Sequence, residues 1–247
     1  MIKRYEKNMG LKGISMEAQE KLLKAKVLVM GAGGLGSFVI MNLCAMGVGQ
    51  IKIIDDGIVE ETDLNRQTIH KIKNIGRARV LSAKDWIVEY NPEIKVEVDK
   101  IRIDELNYFG LIQDYDIIVD CFDTYEAKFM LNEIALRHNK ILIHGKTSAF
   151  QGQATTIVPN QTGCLACMIQ KPGVFKPEQK CKLSPVDTII AGIQSNEVLK
   201  IITKTGTPLL NRVVIYDGLG GEFRYMTYSK NPDCKECSKK EDIYAIL

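Results

Sequence analysis

A glycine-rich turn at residues 31–36 (Gly-Ala-Gly-Gly-Leu-Gly) limits this chain to few folds, because of what flanks it. A short apolar strand at 27–30 precedes it, a helical pattern at about 37–45 follows, and a second apolar strand at 51–54 leads to Asp55. This order is typical of folds that hold a nucleotide's phosphates at a helix N-terminus and its ribose on a carboxylate. The predicted nucleotide-binding residues are therefore Gly31, Gly33, Gly34, Gly36 and Asp55. The alternative is a turn that serves only close helix–sheet packing.

The rest of the chain divides into two parts by its pattern of strands and helices. Up to about residue 150, helical patterns at 76–90, 104–113 and 125–138 alternate with strands, which predicts a parallel sheet. Beyond it, extended segments at 153–158, 213–216 and 223–226 predict antiparallel strands, separated by a long loop at 159–185 and a helix. We expect one α/β, Rossmann-like domain over 1–247, with a nucleotide-binding part at 1–150 and an antiparallel, zinc-binding part at 151–247.

Composition narrows the function classes. The net charge of +3 is too small to indicate a nucleic-acid-binding surface. No apolar run approaches the roughly 20 residues of a membrane span, and the first residues lack the apolar core of a signal peptide. A cytoplasmic protein with neither nucleic-acid nor membrane partners is expected.

Seven cysteines include two Cys-x-x-Cys pairs, Cys164/Cys167 and Cys234/Cys237. The odd total argues against a disulfide scaffold. Two such pairs can close a tetrahedral thiolate cage of the structural zinc type, which would join the loop to the C-terminal tail. The competing interpretation is redox activity, although neither pair has a thioredoxin-like setting.

Polar residues near two strand ends suggest phosphate and metal binding. Arg66 is close in sequence to the strand that ends at Asp55, and a guanidinium suits phosphates through its paired donors. Asp120 and Asp123 follow the next central strand, where open sheets form their ligand crevice. Asp123 is expected to hold Mg²⁺ bridging a triphosphate, and Asp120 to do no more than cap the next helix. The alternative for Arg66 is a solvated loop.

In combination, these motifs resemble the ubiquitin-activating-enzyme-like adenylyltransferases, the family of ThiF, MoeB and HesA, over nearly the whole chain. The resemblance implies ATP-dependent activation of a carboxylate: its oxygen attacks the α-phosphorus, pyrophosphate leaves and an acyl-adenylate remains. It also implies a homodimer in which a basic residue from the partner's N-terminus enters the site. The matching features are Arg4-Tyr, the glycine turn, Asp55, Leu-Asn-Arg-Gln at 64–67, Asp-Cys-x-Asp at 120–123, both cysteine pairs and Asn-Pro-x-Cys at 231–234.

By family position, the resemblance assigns roles to single residues. Asp55 would bind the ribose, Arg66 the phosphates and Asp123 the Mg²⁺ or pyrophosphate end, with Gln67 beside them. Cys181, in the long loop, matches a cysteine that in many relatives attacks the adenylate or links covalently to a sulfur carrier. Lys180 and Lys182 flank it and would favour the thiolate; the alternative is an ordinary exposed cysteine.

Four positions depart from the family pattern. Gly57 replaces the second acid of an Asp-x-Asp, and Asp63 replaces an asparagine. Arg79 aligns with a lysine near the triphosphate, and Lys7 with the arginine expected to cross the dimer. Lys7 and Arg79 keep their charge, so we expect phosphate neutralisation to survive and count both, with Asp63, in the nucleotide site.

The leading expectation is an adenylyltransferase for a ubiquitin-like sulfur-carrier protein, in thiamine or molybdopterin biosynthesis or in thiolation, using ATP, Mg²⁺ and Zn²⁺. An alternative substrate is a small-molecule carboxylate, such as the pyridinol cofactor precursor of a methanogen hydrogenase. From another class, the chain would be a non-catalytic ATP-binding partner protein. An NAD-linked dehydrogenase is the least favoured, because no residue is an obvious hydride-site acid or base.

Overall fold

An eight-stranded sheet organises the part of the chain that the computed structural model describes, residues 2–170 and 181–238. The strands are β1 (Lys26–Met30), β2 (Gln50–Ile54), β3 (Lys95–Asp99), β4 (Ile117–Asp120), β5 (Ile141–Ser148), β6 (Gln151–Ile157), β7 (Arg212–Asp217) and β8 (Glu222–Thr227). Their order across the sheet is β3-β2-β1-β4-β5-β6-β7-β8. Strands β1 to β5 pair in parallel, and β5 to β8 pair antiparallel. The predicted fold class is therefore confirmed.

The helices cover both faces of this sheet. They are α1 (Glu6–Met9), α2 (Met16–Lys24), α3 (Gly34–Met46), α4 (Arg79–Tyr90), α5 (Tyr108–Ile112), α6 (Tyr125–Arg137), α7 (Leu165–Ile169) and α8 (Ser184–Thr203). Short 3-10 helices lie at Ile2–Tyr5, Glu61–Asp63 and Ile72–Asn74. Within the described residues, no helix has the length and apolar character that crossing a membrane requires.

Strand β1 shows why the sheet is buried on both sides. Val27 and Val29 pack into one hydrophobic core with α3, α4 and α8, whereas Leu28 and Met30 pack into a second core with α6 and α7. A parallel strand covered on both faces is apolar at successive positions, as this one is. The order of the strands reverses between β1 and β4, so a crevice opens at their carboxyl ends.

Three elements differ from the sequence-based expectation. Helix α2 was not predicted; it starts because the Ser15 side chain accepts a hydrogen bond from the Ala18 amide. Helix α5 is shorter than the predicted 104–113, because Asp104 and Asn107 form side-chain bonds to the local backbone instead. The predicted loop at 159–185 contains α7, and its residues 171–180 lie outside the described part of the chain.

Candidate active site

The glycine turn joins β1 to α3 in a shape that larger residues could not adopt. Gly31 has a φ of +105°, which favours glycine. A Cβ at Gly36 would lie 2.0 Å from the Gly31 carbonyl oxygen, and so the turn closes tightly against the first turn of α3. The amides at the start of α3 are thereby left facing the crevice, where they can bind an anion.

Asp55 directly follows β2, and backbone amides fix its carboxylate. One oxygen accepts a hydrogen bond from the Ala32 amide at 2.8 Å, and the other accepts one from the Gly57 amide at 2.7 Å. The carboxylate is only 8% exposed and ties the glycine turn to the end of β2. Its place next to the turn is the one that ribose binding requires.

A cleft of about 460 Å³ opens at the carboxyl ends of β1 and β4. Its size is in the range of cofactor and ligand pockets. It brings together five of the predicted site residues: Gly31, Gly33, Asp55, Arg79 and Asp123. The loop after β3, residues 101–104, and the start of α6 supply the other walls.

Asp63 connects the basic side chains beside this cleft. Its carboxylate is nearly inaccessible and accepts bonds from Arg79 Nη2 at 2.8 Å, Arg66 Nη2 at 3.3 Å and Gln67 Nε2 at 2.7 Å. It also accepts a bond from the Glu60 amide. The structure therefore places Asp63 beneath the guanidinium groups, where it orients them.

Three of the departures from the family pattern are neighbours in space. A Cβ at Gly57 would lie 2.8 Å from Arg79 Nη1 and 2.9 Å from Asp55 Oδ1, so an aspartate at 57 has no room beside Arg79. Asp63 supplies a carboxylate to Arg79 from the other side. Burial alone would lower the Arg79 pKa, but the bond to Asp63 and the charge of Asp55 raise it. The carboxylate of Asp63 therefore replaces, as a partner of Arg79, the one that is absent at Gly57.

Asp123 lies at the edge of the cleft with an exposed side chain. Burial of the surroundings opposes its ionisation, yet the neighbouring Lys182 ammonium, which pairs with it, holds the pKa of Asp123 below its usual value. An ionised, accessible carboxylate beside a phosphate-binding turn has the chemistry of a Mg²⁺ ligand.

Asp120 does not cap α6, and that prediction is wrong. The cap is Thr124, whose side chain accepts from the Ala127 amide. Both Asp120 oxygens instead accept bonds of 3.0 Å from Lys128 Nζ, and one accepts from His144 Nδ1 at 2.8 Å. All three side chains are fully buried. The carboxylate stays ionised because the buried ammonium needs a counter-charge.

Two residues near the turn escaped sequence analysis, Lys146 and Asp187. Asp187 lies in the first turn of α8 and accepts a hydrogen bond from Thr147 Oγ1, while its Oδ2 has no hydrogen-bond partner. A Cβ at Gly34 would lie 2.2 Å from that oxygen, so Asp187 packs directly on the glycine turn. Burial raises the pKa of its carboxyl group. No local sequence pattern marks either residue; only the packing of α8 and the end of β5 does.

The structure does not bring Lys7 to the cleft of its own chain. The preceding Tyr5 accepts a hydrogen bond from Asn91 Nδ2 at 2.9 Å and packs at Gly47, at the carboxyl ends of α4 and α3. The glycine turn is at the opposite end of α3, about 20 Å away. Lys7 is exposed at that far end.

Cys181 is exposed, and its carbonyl oxygen accepts a bond of 2.7 Å from the Ala149 amide. Because Lys182 reaches Asp123, Cys181 lies near the rim of the cleft. Its other flanking lysine, Lys180, lies outside the described residues.

The four paired cysteines come together as predicted. The Sγ atoms of Cys164, Cys167, Cys234 and Cys237 all lie within 4.8 Å of one another, and three of the four residues are buried. Four convergent thiols with no further ligand position fit a closed structural zinc site. The first cysteine pair follows β6, whose last residue lies near the start of β5. The cluster is therefore at the amino ends of the parallel strands, and the cleft is at their carboxyl ends.

Known proteins are similar in sequence to this chain. The ThiF family model matches residues 5–236. A SAMP-activating enzyme E1 of Haloferax volcanii is 32% identical over 96% of this chain and 88% of its own length. A sulfur carrier protein adenylyltransferase of Thermus thermophilus is 30% identical over 95% of this chain and 90% of its own length. An adenylyltransferase and sulfurtransferase, MOCS3-1 of Zea mays, is 34% identical over 97% of this chain, which spans 52% of that longer protein.

Solved structures agree with the sequence relatives. E. coli MccB crystallised with MccA-N7isoASN has a TM-score of 0.84 and 25% identity, covering 97% of this chain and 75% of MccB. MccB with ATP has a TM-score of 0.79 and 26% identity, covering 89% and 68%. The chain therefore belongs to the ThiF family and is an enzyme of the nucleotidyltransferase type, as its motifs predict.

Proposed function

We propose that this protein adenylates the C-terminal carboxylate of a small ubiquitin-like sulfur-carrier protein. The observation that carries the proposal is a pair of guanidinium groups held by the one buried carboxylate of Asp63. Arg79 lines the cleft, and Arg66 lies beside the glycine turn at Gly34. Such an array attracts a polyphosphate and keeps its donors fixed before the ligand arrives.

The reaction is a displacement at the α-phosphorus of ATP. A carboxylate oxygen forms a bond to phosphorus, the bond from phosphorus to the bridging oxygen breaks, and pyrophosphate leaves with the electron pair. Catalysis of this kind is mostly positioning and neutralisation of negative charge. Asp55 would hold the ribose, the amides of the turn one phosphate, and Arg66 and Arg79 the departing pyrophosphate.

Asp123 is the carboxylate that would hold Mg²⁺, which when bound would neutralise part of the triphosphate charge. Asp123 pairs with Lys182, which keeps the carboxylate ionised.

The outer face of β8 supports a protein substrate rather than a small acid alone. Its aromatic side chains are exposed, with Phe223 at 50% and Tyr225 at 57%, and the Arg212 guanidinium lies over the Tyr225 ring. The β7–β8 turn meets the β5–β6 turn, where the Gly218 amide donates to Phe150 oxygen at 2.7 Å. This surface therefore adjoins the cleft end of the sheet, and exposed aromatic residues are typical of protein interfaces.

ATP–pyrophosphate exchange tests the proposed function. We expect exchange with a carrier protein ending in free Gly-Gly and none with the same carrier bearing a C-terminal amide. Arg66→Ala should slow exchange by about a hundredfold, whereas Arg137→Ala, on the exposed side of α6 beside Glu133, should not. Exchange that occurs with a small carboxylic acid but not with the carrier would identify that acid as the substrate. Binding of AMPCPP without exchange on any carboxylate would indicate a non-catalytic ATP-binding protein.

Two further parts of the proposal concern assembly and Cys181. The protein is proposed to act as a homodimer in which Lys7 of one copy binds in the cleft of the other, since Lys7 is remote from the cleft of its own chain.

The Cys181 thiolate is proposed to attack the acyl carbon of the adenylate, forming a thioester as AMP leaves. Cys181→Ala should then leave pyrophosphate exchange intact and abolish the thioester, as measured by mass spectrometry. An undiminished thioester would remove Cys181 from the mechanism.

A further inference from the structure

Lys146 is a buried cation near the carboxyl end of β5. Its side chain is close to inaccessible, with the residue only 7% exposed. The Nζ atom donates to the Asp123 carbonyl oxygen and lies 5.4 Å from the centre of the Tyr125 ring. A carbonyl group and an aromatic face stabilise an ammonium ion, but neither neutralises its charge.

The neighbouring lysines differ from Lys146 in having counter-ions. Lys128 is paired with Asp120, and Lys182 is paired with Asp123. Among the described residues, no carboxylate forms an ion pair with Lys146. Lys146 is thus a buried ammonium without an ion-pair partner of its own, and an anion is the ligand that would supply one.

The position of Lys146 relates this charge to the cleft. Strand β5 continues beyond the end of β4, since Asp120 pairs with His144 and the next residues have no β4 partner. Lys146 contacts the backbone of Asp123, a residue of the cleft wall. An acyl carboxylate has to approach the phosphates from outside the ribose pocket.

We propose that the Lys146 ammonium is the binding group for the free carboxylate of the acyl substrate. This inference rests on the proposed adenylation and adds the residue that selects an acid over its amide or ester. The ammonium attracts the anionic acid to the cleft wall at Asp123 and reduces the repulsion between the carboxylate and the phosphates.

The ionisation of Lys146 is consistent with this role. Burial, together with the charges of Lys128 and Lys182, lowers the pKa of Lys146 to about 8. A bound carboxylate would raise it again, because an opposite charge favours the protonated form. The groups that act on this ammonium from the surrounding elements are Asp120 of β4, Asp123 after β4, Tyr125 and Lys128 of α6, His144 of β5, and Lys182 before α8.

The first test separates acid binding from nucleotide binding. With the Gly-Gly-ended carrier as substrate, Lys146→Met should raise the KM for the carrier by at least about thirtyfold and leave the Kd for Mg²⁺–AMPCPP within about twofold. The matched control is Lys140→Met, which removes a lysine just before the other end of β5. An equal loss of AMPCPP affinity, or an unchanged KM, would overturn the proposal.

A second test does not depend on turnover. Reductive methylation of Lys146 is followed by peptide mass spectrometry in wild-type protein saturated with Mg²⁺–AMPCPP. N-acetylglycylglycine should slow the methylation of Lys146, and the corresponding C-terminal amide should not. Equal labelling with acid and amide would exclude a carboxylate site at Lys146.

The two results distinguish this inference from the proposed function. Acid-selective protection without any pyrophosphate exchange would retain the carboxylate site and reject adenylation. Exchange that Lys146→Met does not alter would retain adenylation and reject the carboxylate site.

Discussion

At the scale of single residues, burial of the Lys146 ammonium is expected to cost folding free energy. Its pKa of about 8 lies below the ordinary value of 10.5, so the unfolded chain binds more protons between these pH values. Stability from this group therefore rises with pH across that window, and at pH 7 the buried charge destabilises the fold. A shift of this size corresponds to at most about 3.4 kcal/mol.

We predict that Lys146→Met stabilises the nucleotide-free protein at pH 7 by about 1–3 kcal/mol. The gain should shrink as the pH rises from 8 to 10, because wild-type Lys146 loses its proton there. Urea unfolding at several pH values measures this, with Lys140→Met as the control. A gain independent of pH would show that lost or gained packing, rather than charge, is responsible.

Asp63 is the second residue with a prediction of its own. Asp63→Asn removes the carboxylate that forms ion pairs with both Arg79 and Arg66, so we expect about 2 kcal/mol lower stability and roughly tenfold weaker AMPCPP binding. The triple change Gly57→Asp, Asp63→Asn and Arg79→Lys restores the usual family residues together. It should recover most of the lost stability and of the lost AMPCPP affinity, because the effects of substitutions at contacting residues are not additive. Urea unfolding and calorimetric titration compare the variants; a triple variant no better than Asp63→Asn would contradict the coupling.

The same residues show how far sequence reasoning reached at the site. The glycine turn, Asp55 and Asp123 follow strand ends, so their convergence on one cleft was predictable from a parallel sheet. The support given by Asp63 and the contact of Asp187 with Gly34 were not, because they depend on side-chain packing between elements distant in sequence. The buried ion pair of Lys128 with Asp120 could not be predicted for the same reason.

At the scale of elements, the cysteine cluster joins α7 to the segment after β8. Cys164 immediately precedes α7, and Cys234 and Cys237 follow β8, so one ion would bind both segments. The Asn231 amide also donates to the Cys167 sulfur at 3.4 Å, which orients the thiol. Metal binding would therefore stabilise the amino-terminal ends of the parallel strands, and it would not act on the cleft at their carboxyl ends.

We predict one zinc ion per chain in freshly purified protein, measured by elemental mass spectrometry. Cys234→Ser should lose the metal and lower the melting temperature by several degrees, because a structural site contributes directly to folding. The Kd for AMPCPP should change less than about twofold, since the cluster is remote from the nucleotide turn. Cys181→Ser, at the exposed cysteine outside the cluster, is the control. Absence of zinc from wild-type protein would refute the site.

The elements themselves were predictable where their pattern was long and periodic. Helix α6 and the buried strands β1, β2 and β4 were recognised because apolar runs and turn residues mark them. Helix α2 was missed, although Ser15 caps it and Leu22 is fully buried, because its other positions are mostly polar. The short α7 was hidden by the glycine and cysteine residues around it.

At the scale of the whole molecule, the nucleotide cleft lies at the carboxyl ends of the parallel strands, and the N-terminal segment lies at their amino ends. Tyr5 and Asn91 fix that segment at the carboxyl ends of α3 and α4. A cation at Lys7 can therefore serve a cleft only in another copy of the chain. A closed two-fold dimer would supply both clefts at once, because each copy then donates and receives the same group.

Mixing two inactive variants tests this arrangement. Lys7→Ala removes the donated cation, and Arg66→Ala disables the receiving cleft. In a mixed dimer, the subunit carrying Lys7→Ala retains Arg66 and receives the intact Lys7 of its partner, so one cleft is complete. Random pairing of equal amounts should recover about a quarter of wild-type pyrophosphate exchange, measured after subunit exchange. If Lys7 acted within its own chain, every cleft in the mixture would carry one of the two lesions, and no activity would return.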